Sequence, residues 1–537
     1  MADPLSKKPP PSGDHEPPPK PKRYWWRFTL ASVVIVTACA AATAISILLY
    51  IGSIANALSH HNIYEKNKLA RYLSQVHGGE PENILILGSD RRANLGEERG
   101  RSDTTILLRL DPNRNAIAVM SIPRDLKVNI PGYGINKFNA AYTFGGPKLT
   151  LRLVRELTGL QINHVVNVDF LGFIRAVNAI GCVYTDVDRR YYHSNVGVPP
   201  SEQYSEIDIQ PGYQMLCGKQ ALAYVRYRHT DTDLVRSARQ QDFLSAARQR
   251  VPISQLVLGQ NSLIDIFTKY TTSDISNAET MLQVLKLFIA SRSAAIEEVH
   301  FPATLGPSYV YASASAIHGA VNKFLGIEAS GGPRGALGGE SDGGGAKKAK
   351  KKAGHAPKQP PVKPKPAGGD GLAPATEAGR LEAEAVAHRA GVFPVFYPTR
   401  LPSGASYVED NSYEHVQNPR VYHLMGADGH RHQAYRMVLA WSLPEGLAYF
   451  GVQGIGGWSN PPILSNPSVT ETLGGREYEI YTNGGRVKMV AWHRGEDTYW
   501  ISNSLLNTLT NDQMVGMARS ANVMIPKPKP KRGKGHG

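Results

Sequence analysis

The chain has 537 residues, with 60 Lys/Arg against 45 Asp/Glu and a formal net charge of +15. That length exceeds one ordinary domain. The excess charge sits in the first 27 residues, in 331–379 and after Pro526, which leaves the rest nearly neutral. A basic nucleic-acid-binding domain carries its charge inside the fold, so that class is excluded.

Residues 1–27 form a Pro/Lys-rich tail, and residues 28–55 contain no Asp, Glu, Lys or Arg. That apolar run is long enough to cross a bilayer with some tilt. Tyr24, Trp25 and Trp26 fall where an aromatic belt would lie. Lys20, Lys22, Arg23 and Arg27 precede the run, and no charge follows until Glu65. The positive-inside rule then expects a single-pass cell-membrane protein with a cytoplasmic N-terminus and everything after the span outside. A cleavable signal peptide is the rival reading, and the span length favours the uncleaved anchor. Residues 56–82 read as a membrane-proximal stem.

Residues 83–87 are an apolar strand that runs into Gly88-Ser89-Asp90-Arg91. Arg101-Ser102-Asp103-Thr104 opens a second strand over 105–110. Asp111-Pro-Asn-Arg-Asn115 is a turn signal, and residues 116–122 return as a third strand ending in Pro123-Arg124-Asp125. Polar residues thus gather at one expected sheet edge. Two carboxylates, Asp90 and Asp103, beside several arginines suit a hard divalent cation that neutralises a phosphate; Mg²⁺ takes one or two carboxylates plus phosphate oxygens.

Further along, residues 149–157 carry Leu149, Leu153, Val154 and Leu157 on one helical face. Strands are expected at 162–170, 182–187 and 298–301, and helices at 171–180 and 275–291. Strands alternating with helices give an α/β core, a sheet covered by helices.

Three cysteines are present. Cys39 falls in the apolar run and is most simply a small apolar residue. Cys182 and Cys217 are either two buried thiols or a disulfide, and an oxidising extracytoplasmic compartment favours the bond. No Cys/His spacing suggests zinc.

Ala221-Leu-Ala-Tyr-Val-Arg226-Tyr-Arg228 reads as apolar and β-rich toward its end. If it finishes extended, Arg226 and Arg228 share a face. Residues 233–248 read as a helix with Leu234, Phe243 and Leu244 as core candidates. Asp233, Arg236 and Gln240 share one side of it. Converging guanidinium forks match a multiply charged anion such as a pyrophosphate.

Residues 329–379 combine Gly runs, a Lys cluster at 347–352 and Pro-Val-Lys-Pro-Lys-Pro, the composition of an extended or disordered linker. A smaller β-rich domain is expected over 380–525, with Asn483-Gly484-Gly485 as a hairpin signal and a helix at 510–520. Trp441, Trp458, Trp492 and Trp500 are either core or a sugar-binding surface, with core the commoner use. His430 and His432 read as loop residues rather than ligands. Residues 526–537 are a basic tail.

The Gly-Ser-Asp loop, Arg-Ser-Asp-Thr, Ser121-Ile-Pro-Arg-Asp125, Asn136-Lys137-Phe138-Asn139 with Tyr142 and Gly145-Gly146, and the Arg-x-Arg…Arg-Gln-Gln segment together resemble the LytR–CpsA–Psr (LCP) family. The resemblance covers roughly residues 83–302 and implies an LCP-like catalytic domain over 83–328, a mixed β-sheet flanked by helices. It implies an enzyme that moves a glycopolymer from a polyprenyl-pyrophosphate carrier onto peptidoglycan during cell-wall assembly. On this reading Asp90 and Asp103 bind Mg²⁺ (or Mn²⁺). Arg101, Arg124, Lys137, Arg226, Arg228, Arg236 and Gln240 hold the pyrophosphate, and Asp90, Asp103, Arg101 and Arg124 are catalytic. The chain has Lys-Phe-Asn where the family usually has Lys-Ile-Asn. Its stretch between Arg228 and Arg236 is short, which leaves Asp231 and Asp233 as alternatives for one acidic position. The expected partners are the lipid-linked glycan, peptidoglycan and the membrane. The alternatives are a lipid-pyrophosphate phosphatase with water as acceptor, and a non-enzymatic wall-binding or regulatory protein.

Overall fold

The computed structural model describes residues 69–75, 79–89, 102–199, 203, 206–227, 231–250, 266, 271–275, 280, 283–284, 287, 295–327, 370–390, 393–409, 418–443, 446–483 and 485–526. The expected membrane span at 28–55, the two terminal tails, most of the stem and linker, and Asp90, Arg101 and Arg228 lie outside these residues. Among the described residues no helix is long and apolar enough to cross a membrane.

The first part of the chain runs β1 (Glu82–Ser89), β2 (Ser102–Asp111), β3 (Ala116–Ser121), β4 (Lys127–Ile130), β5 (Gly134–Lys137), α1 (Ala140–Thr158), β6 (His164–Asp169) and α2 (Phe170–Ala179). It continues through β7 (Val183–Val187), β8 (Tyr191–His193), β9 (Ile207–Ile209), β10 (Gly212–Leu216), α3 (Gly218–Arg226) and α4 (Asp233–Arg250). Then come β11 (Thr271–Ser273), β12 (Ala295–Val299), β13 (Thr304–Leu305), β14 (Val310–Tyr311) and α5 (Ala314–Phe324). Six strands form one mixed sheet in the order β11-β6-β1-β2-β3-β12. β2 is antiparallel to β1 and β3, whereas β6 is parallel to β1 and β12 to β3.

Alternation along the strands builds two cores. Leu85, Leu87, Leu107, Met120 and Val165 pack with Leu149, Leu153 and Val154 of α1 and Phe324 of α5. Ile84, Ile106, Val119 and Val166 point the other way and pack with Leu287. Each fully buried aliphatic side chain contributes roughly 1.5–3 kcal/mol. α1 begins nine residues before the expected helix and is broken at Gly145-Gly146. Gly146 has φ 59° and ψ −157°, a conformation essentially reserved for glycine. The helix resumes at Pro147, whose fixed φ suits a first turn.

At the end of β1 remote from the Gly-Ser-Asp loop, buried His164 lies between Asp274 (2.8 Å) and Glu82 (3.5 Å). Burial alone would lower its pKa, but the two carboxylates outweigh it and raise the value to about 9.

The hairpin β7–β10 packs with helices α2, α3 and α4, and a disulfide joins Cys182 to Cys217 across its open end, with Cα atoms 4.6 Å apart. The bond closes a loop of 35 residues in sequence. By the chain-entropy estimate that contributes between about 3 and 4 kcal/mol. Reductant should therefore lower the melting temperature of the purified protein. An unchanged melt after mass spectrometry confirms reduction would refute this contribution.

The C-terminal part comprises β15 (Leu372–Pro374), α6 (Thr376–Ala390), β16 (Val395–Pro398), β17 (Arg400–Pro402), β18 (Ala405–Tyr407), β19 (Arg420–Met425), β20 (Arg431–Leu443), β21 (Gly446–Ile455), β22 (Val469–Leu473), β23 (Arg476–Asn483), β24 (Arg486–Arg494), β25 (Asp497–Ser502), α7 (Asn511–Arg519) and β26 (Ala521–Met524). Its main sheet is antiparallel, in the order β18-β20-β21-β25-β24-β23-β22 with β19 also on β20. α6 and α7 cover one face, where Val386, Met514, Met517, Trp492 and Tyr499 are buried together. A capping box at Thr510 and Gln513 starts α7.

Two expectations change, and a third stands. Residues 370–379, assigned by composition to the linker, belong to the fold: β15 pairs with β17, and Asp370 is bound by both terminal nitrogens of Arg400 at 2.7 Å. As the commoner use of such aromatics led one to expect, Trp458, Trp492 and Trp500 are core, and Trp441 is partly buried. His432 is not a loop residue. It lies on β20, buried, with its ring stacked 5.1 Å from Trp458 and bonded to Asp428 at 2.8 Å.

Candidate anion-binding site

The site lies where the main sheet presents the end of β1, the start of β2 and the end of β3. Ser89 pairs with Ser102 and Gly88 with Thr104, with an irregularity between Gly88 and Ser89. The two strands approach so closely that a Cβ on Gly88 would lie 3.1 Å from Thr104 Cβ. Asp103 stands in β2 at this irregularity. Ser121 ends β3 opposite Ile106, and Arg124 follows three residues later.

Helix α4 crosses these strand ends. Thr232 starts it, accepting the Arg236 amide on its carbonyl (3.1 Å) and the Val235 amide on its hydroxyl (3.3 Å). The Gln240 side-chain amide donates to Thr104 Oγ1 at 3.1 Å and to the Val225 carbonyl at 3.0 Å. Gln240 therefore ties α4 both to the residue after Asp103 and to the residue before Arg226. Gln241 donates to Ser121 Oγ at 3.3 Å.

The charges assemble on that frame. Arg236 is buried and pairs with Asp233 at 2.9 Å, one helical turn away. Arg124 lies 3.3 Å from Asp125 and 4.0 Å from Asp233. The Lys137 ammonium, at the end of β5, reaches Asp125 at 2.9 Å. The Arg226 guanidinium lies 3.9 Å over the Phe170 ring, at the start of α2. Among the described side chains, Arg124, Lys137, Arg226 and Arg236 outnumber Asp125 and Asp233, a balance that favours an anion.

Arg226 does not lie on a strand. It ends α3, where Ala221, Tyr224 and Val225 are buried at helical spacing, and the chain becomes extended only at Tyr227. A short apolar run fits both periods, and Cys217 in extended conformation at the N-cap favours the helix. Leu244, expected in the core, is 37% exposed, whereas Phe243 is buried. Asp103 is placed by its backbone alone.

The structure separates the two candidate aspartates. Asp233 faces Arg236 and Arg124, whereas Asp231 is bound by Arg189 and Arg239. Arg239 is fully buried, donates to the carbonyls of Tyr224 (2.9 Å) and Tyr227 (3.3 Å), and lies 4.6 Å over the Tyr191 ring. Burial opposes its charge, but neighbouring groups including Asp231 hold it protonated. Arg239 is thus a structural arginine. Sequence reasoning also missed Asp125 as the carboxylate shared by Arg124 and Lys137; the signal lay in the Ser-Ile-Pro-Arg-Asp run itself.

Fold and site define an α/β protein whose mixed sheet gathers several arginines at the ends of its central strands. A family profile described as the LytR_cpsA_psr family matches residues 47–323, and the chain belongs to that family. It is 35% identical over 171 residues to the polyisoprenyl-teichoic acid–peptidoglycan teichoic acid transferase TagT of Bacillus subtilis, covering 32% of this chain and 52% of that protein. It is 37% identical over 186 residues to the probable cell wall biosynthesis protein LcpB of Corynebacterium glutamicum, covering 32% and 42%. The chain thus spans about half the length of these relatives. A solved structure titled TagT bound to LI-WTA aligns over 47% of this chain and 93% of that one, at 25% identity and a TM-score of 0.37.

Proposed function

We propose that the protein is a membrane-anchored phosphotransferase that moves a glycopolymer from a polyprenyl-pyrophosphate carrier onto peptidoglycan. The observation that carries this reading is the convergence of Arg124, Arg236 and the Gln240-anchored helix on the strand end that holds Asp103. Family membership and the names of the relatives agree with it. The apolar run at 28–55 and the charge preceding it support an extracytoplasmic catalytic domain.

In the proposed reaction a peptidoglycan sugar hydroxyl attacks the sugar-linked phosphorus. A new P–O bond forms, the bridging P–O bond breaks, and polyprenyl phosphate leaves with the electron pair while the hydroxyl proton passes to a base or to solvent. Charge stabilisation by preorganised donors dominates such transfers. Arg124, Arg226 and Arg236 bind pyrophosphate oxygens, joined by Arg101 and Arg228 on the family pattern. Lys137 reaches the same region. Gln240 and Asp233 fix the donors. Asp90 and Asp103 are the residues that would hold Mg²⁺ or Mn²⁺; all-oxygen donors beside guanidinium groups fit that hard ion, which supplies charge neutralisation.

The test incubates full-length protein with a radiolabelled lipid-linked oligosaccharide and purified wall glycan. Label moving into the glycan, and lost on chelation, is the expected result. Label released as free sugar phosphate would identify a phosphatase instead, and no turnover at all would leave a binding protein.

A further inference from the structure

The C-terminal sheet does not hang from the linker as an independent module. Its second face, opposite α6 and α7, is buried against the hairpin β7–β10. Tyr213 of the hairpin is fully buried, with ring centroids 5.4 Å from Trp500 and 6.2 Å from Trp458. Arg436, in the middle of β20, is fully buried and pairs with Asp186 of β7 at 3.1 Å, and Trp500 Nε1 donates to the same carboxylate at 3.2 Å. A buried arginine among apolar neighbours is strongly unfavourable without its partner. This face is therefore built for permanent contact.

Three further connections run from the C-terminal sheet to helix α4. Lys488 of β24 reaches Asp242 of α4 at 2.7 Å. Asn483 of β23 donates to Glu298 at 2.6 Å, and Ser245 of α4 donates to the other oxygen of that carboxylate at 3.2 Å. The Arg189 guanidinium sits 5.1 Å over the Tyr449 ring of β21 and is also paired with Asp231, two residues before α4 begins. The helix that carries Arg236 and Gln240 is thus held near its start and along its length by residues 200 or more positions away.

We propose that the C-terminal domain is an intramolecular clamp that positions helix α4, with Tyr449, acting through Arg189, and Lys488 as its positioning residues, so that the pyrophosphate site is complete only with both domains in place. The ligand in this statement rests on the function proposed above. The clamp does not touch reacting atoms. It acts through Arg236 on α4, so its loss weakens binding of the donor and lowers kcat/KM.

The experiment uses the full-length protein in detergent, with farnesyl pyrophosphate as the soluble probe. Tyr449→Ala combined with Lys488→Ala should weaken probe binding about tenfold, the scale of one partly desolvated cation–π contact. It should lower kcat/KM for the lipid-linked donor by about tenfold or more. Tyr449→Phe, which keeps the ring face, should retain wild-type binding. Hydrogen exchange of the α4 amides should accelerate in the double variant, and this reading needs no ligand. Unchanged exchange, or fragments that separate on a sizing column after proteolysis in the 331–369 linker, would overturn the clamp. If the unmodified protein fails to bind farnesyl pyrophosphate, the functional reading falls, and the exchange measurement still decides the clamp. Should Tyr449→Ala fail to fold, Lys488→Ala alone carries the same comparison.

Discussion

Arg239→Ala should lower folding stability by about 3–5 kcal/mol, the cost of removing one member of a buried ion pair. Arg239 is fully buried, and its guanidinium bridges two backbone carbonyls and Asp231. Truncation leaves the carbonyls of Tyr224 and Tyr227 short of a donor and leaves Asp231 to Arg189 alone. The Tyr191 and Tyr224 rings also lose the cation they face, at 4.6 and 5.4 Å. Arg239→Lys should recover little, because one ammonium cannot serve both carbonyls and the carboxylate in the same plane. Chemical denaturation of the purified protein checks this. A loss under about 1 kcal/mol, the range of an ordinary surface substitution, would show that Arg239 is not the structural anchor described here.

The contrast between Arg239 and Arg236 marks what the sequence could and could not show. Both lie on α4, three residues apart, in one run of guanidinium and amide side chains. Helical spacing placed Asp233, Arg236 and Gln240 on one side, and the structure brings Gln240 to Thr104 and sets Asp233 between Arg236 and Arg124. Strands β1, β2, β3 and β6 of the main sheet were legible because each motif is local: an apolar run ending in polar residues. The same locality misled at Arg226, where five apolar residues fit a strand or a helix and only the surrounding core decides. Composition placed the linker boundary too late, because Asp370 and Leu372 look like spacer residues until Arg400 and β17 meet them. The interdomain contacts were invisible for a different reason. Asp186 and Arg436 are 250 positions apart, and each looks like a solvent-facing residue of its own strand. Only the folded arrangement shows that they bury each other.

Asp103→Ala should abolish glycopolymer transfer, and Arg236→Ala should reduce it by about 10²-fold or more, the scale seen when one donor to developing charge is deleted. The two act differently. On the proposed mechanism Asp103 supplies a metal ligand at the β1–β2 irregularity, so its loss removes charge neutralisation as a whole. Arg236 supplies a fork held by Asp233 at 2.9 Å, and its loss leaves the metal ligands in place. Raising the metal concentration should therefore not rescue Arg236→Ala. Arg236→Lys should rescue poorly, since the ammonium keeps the charge without the bidentate geometry. Both variants should show wild-type circular dichroism. The measurement is single-turnover transfer of labelled lipid-linked oligosaccharide to wall glycan, with and without chelator. Near-normal transfer by both variants in chelator would show that neither the carboxylate nor the guanidinium stabilises the transferring phosphorus. The anion site would then serve binding alone, and the attacking hydroxyl would have to be activated elsewhere on the chain.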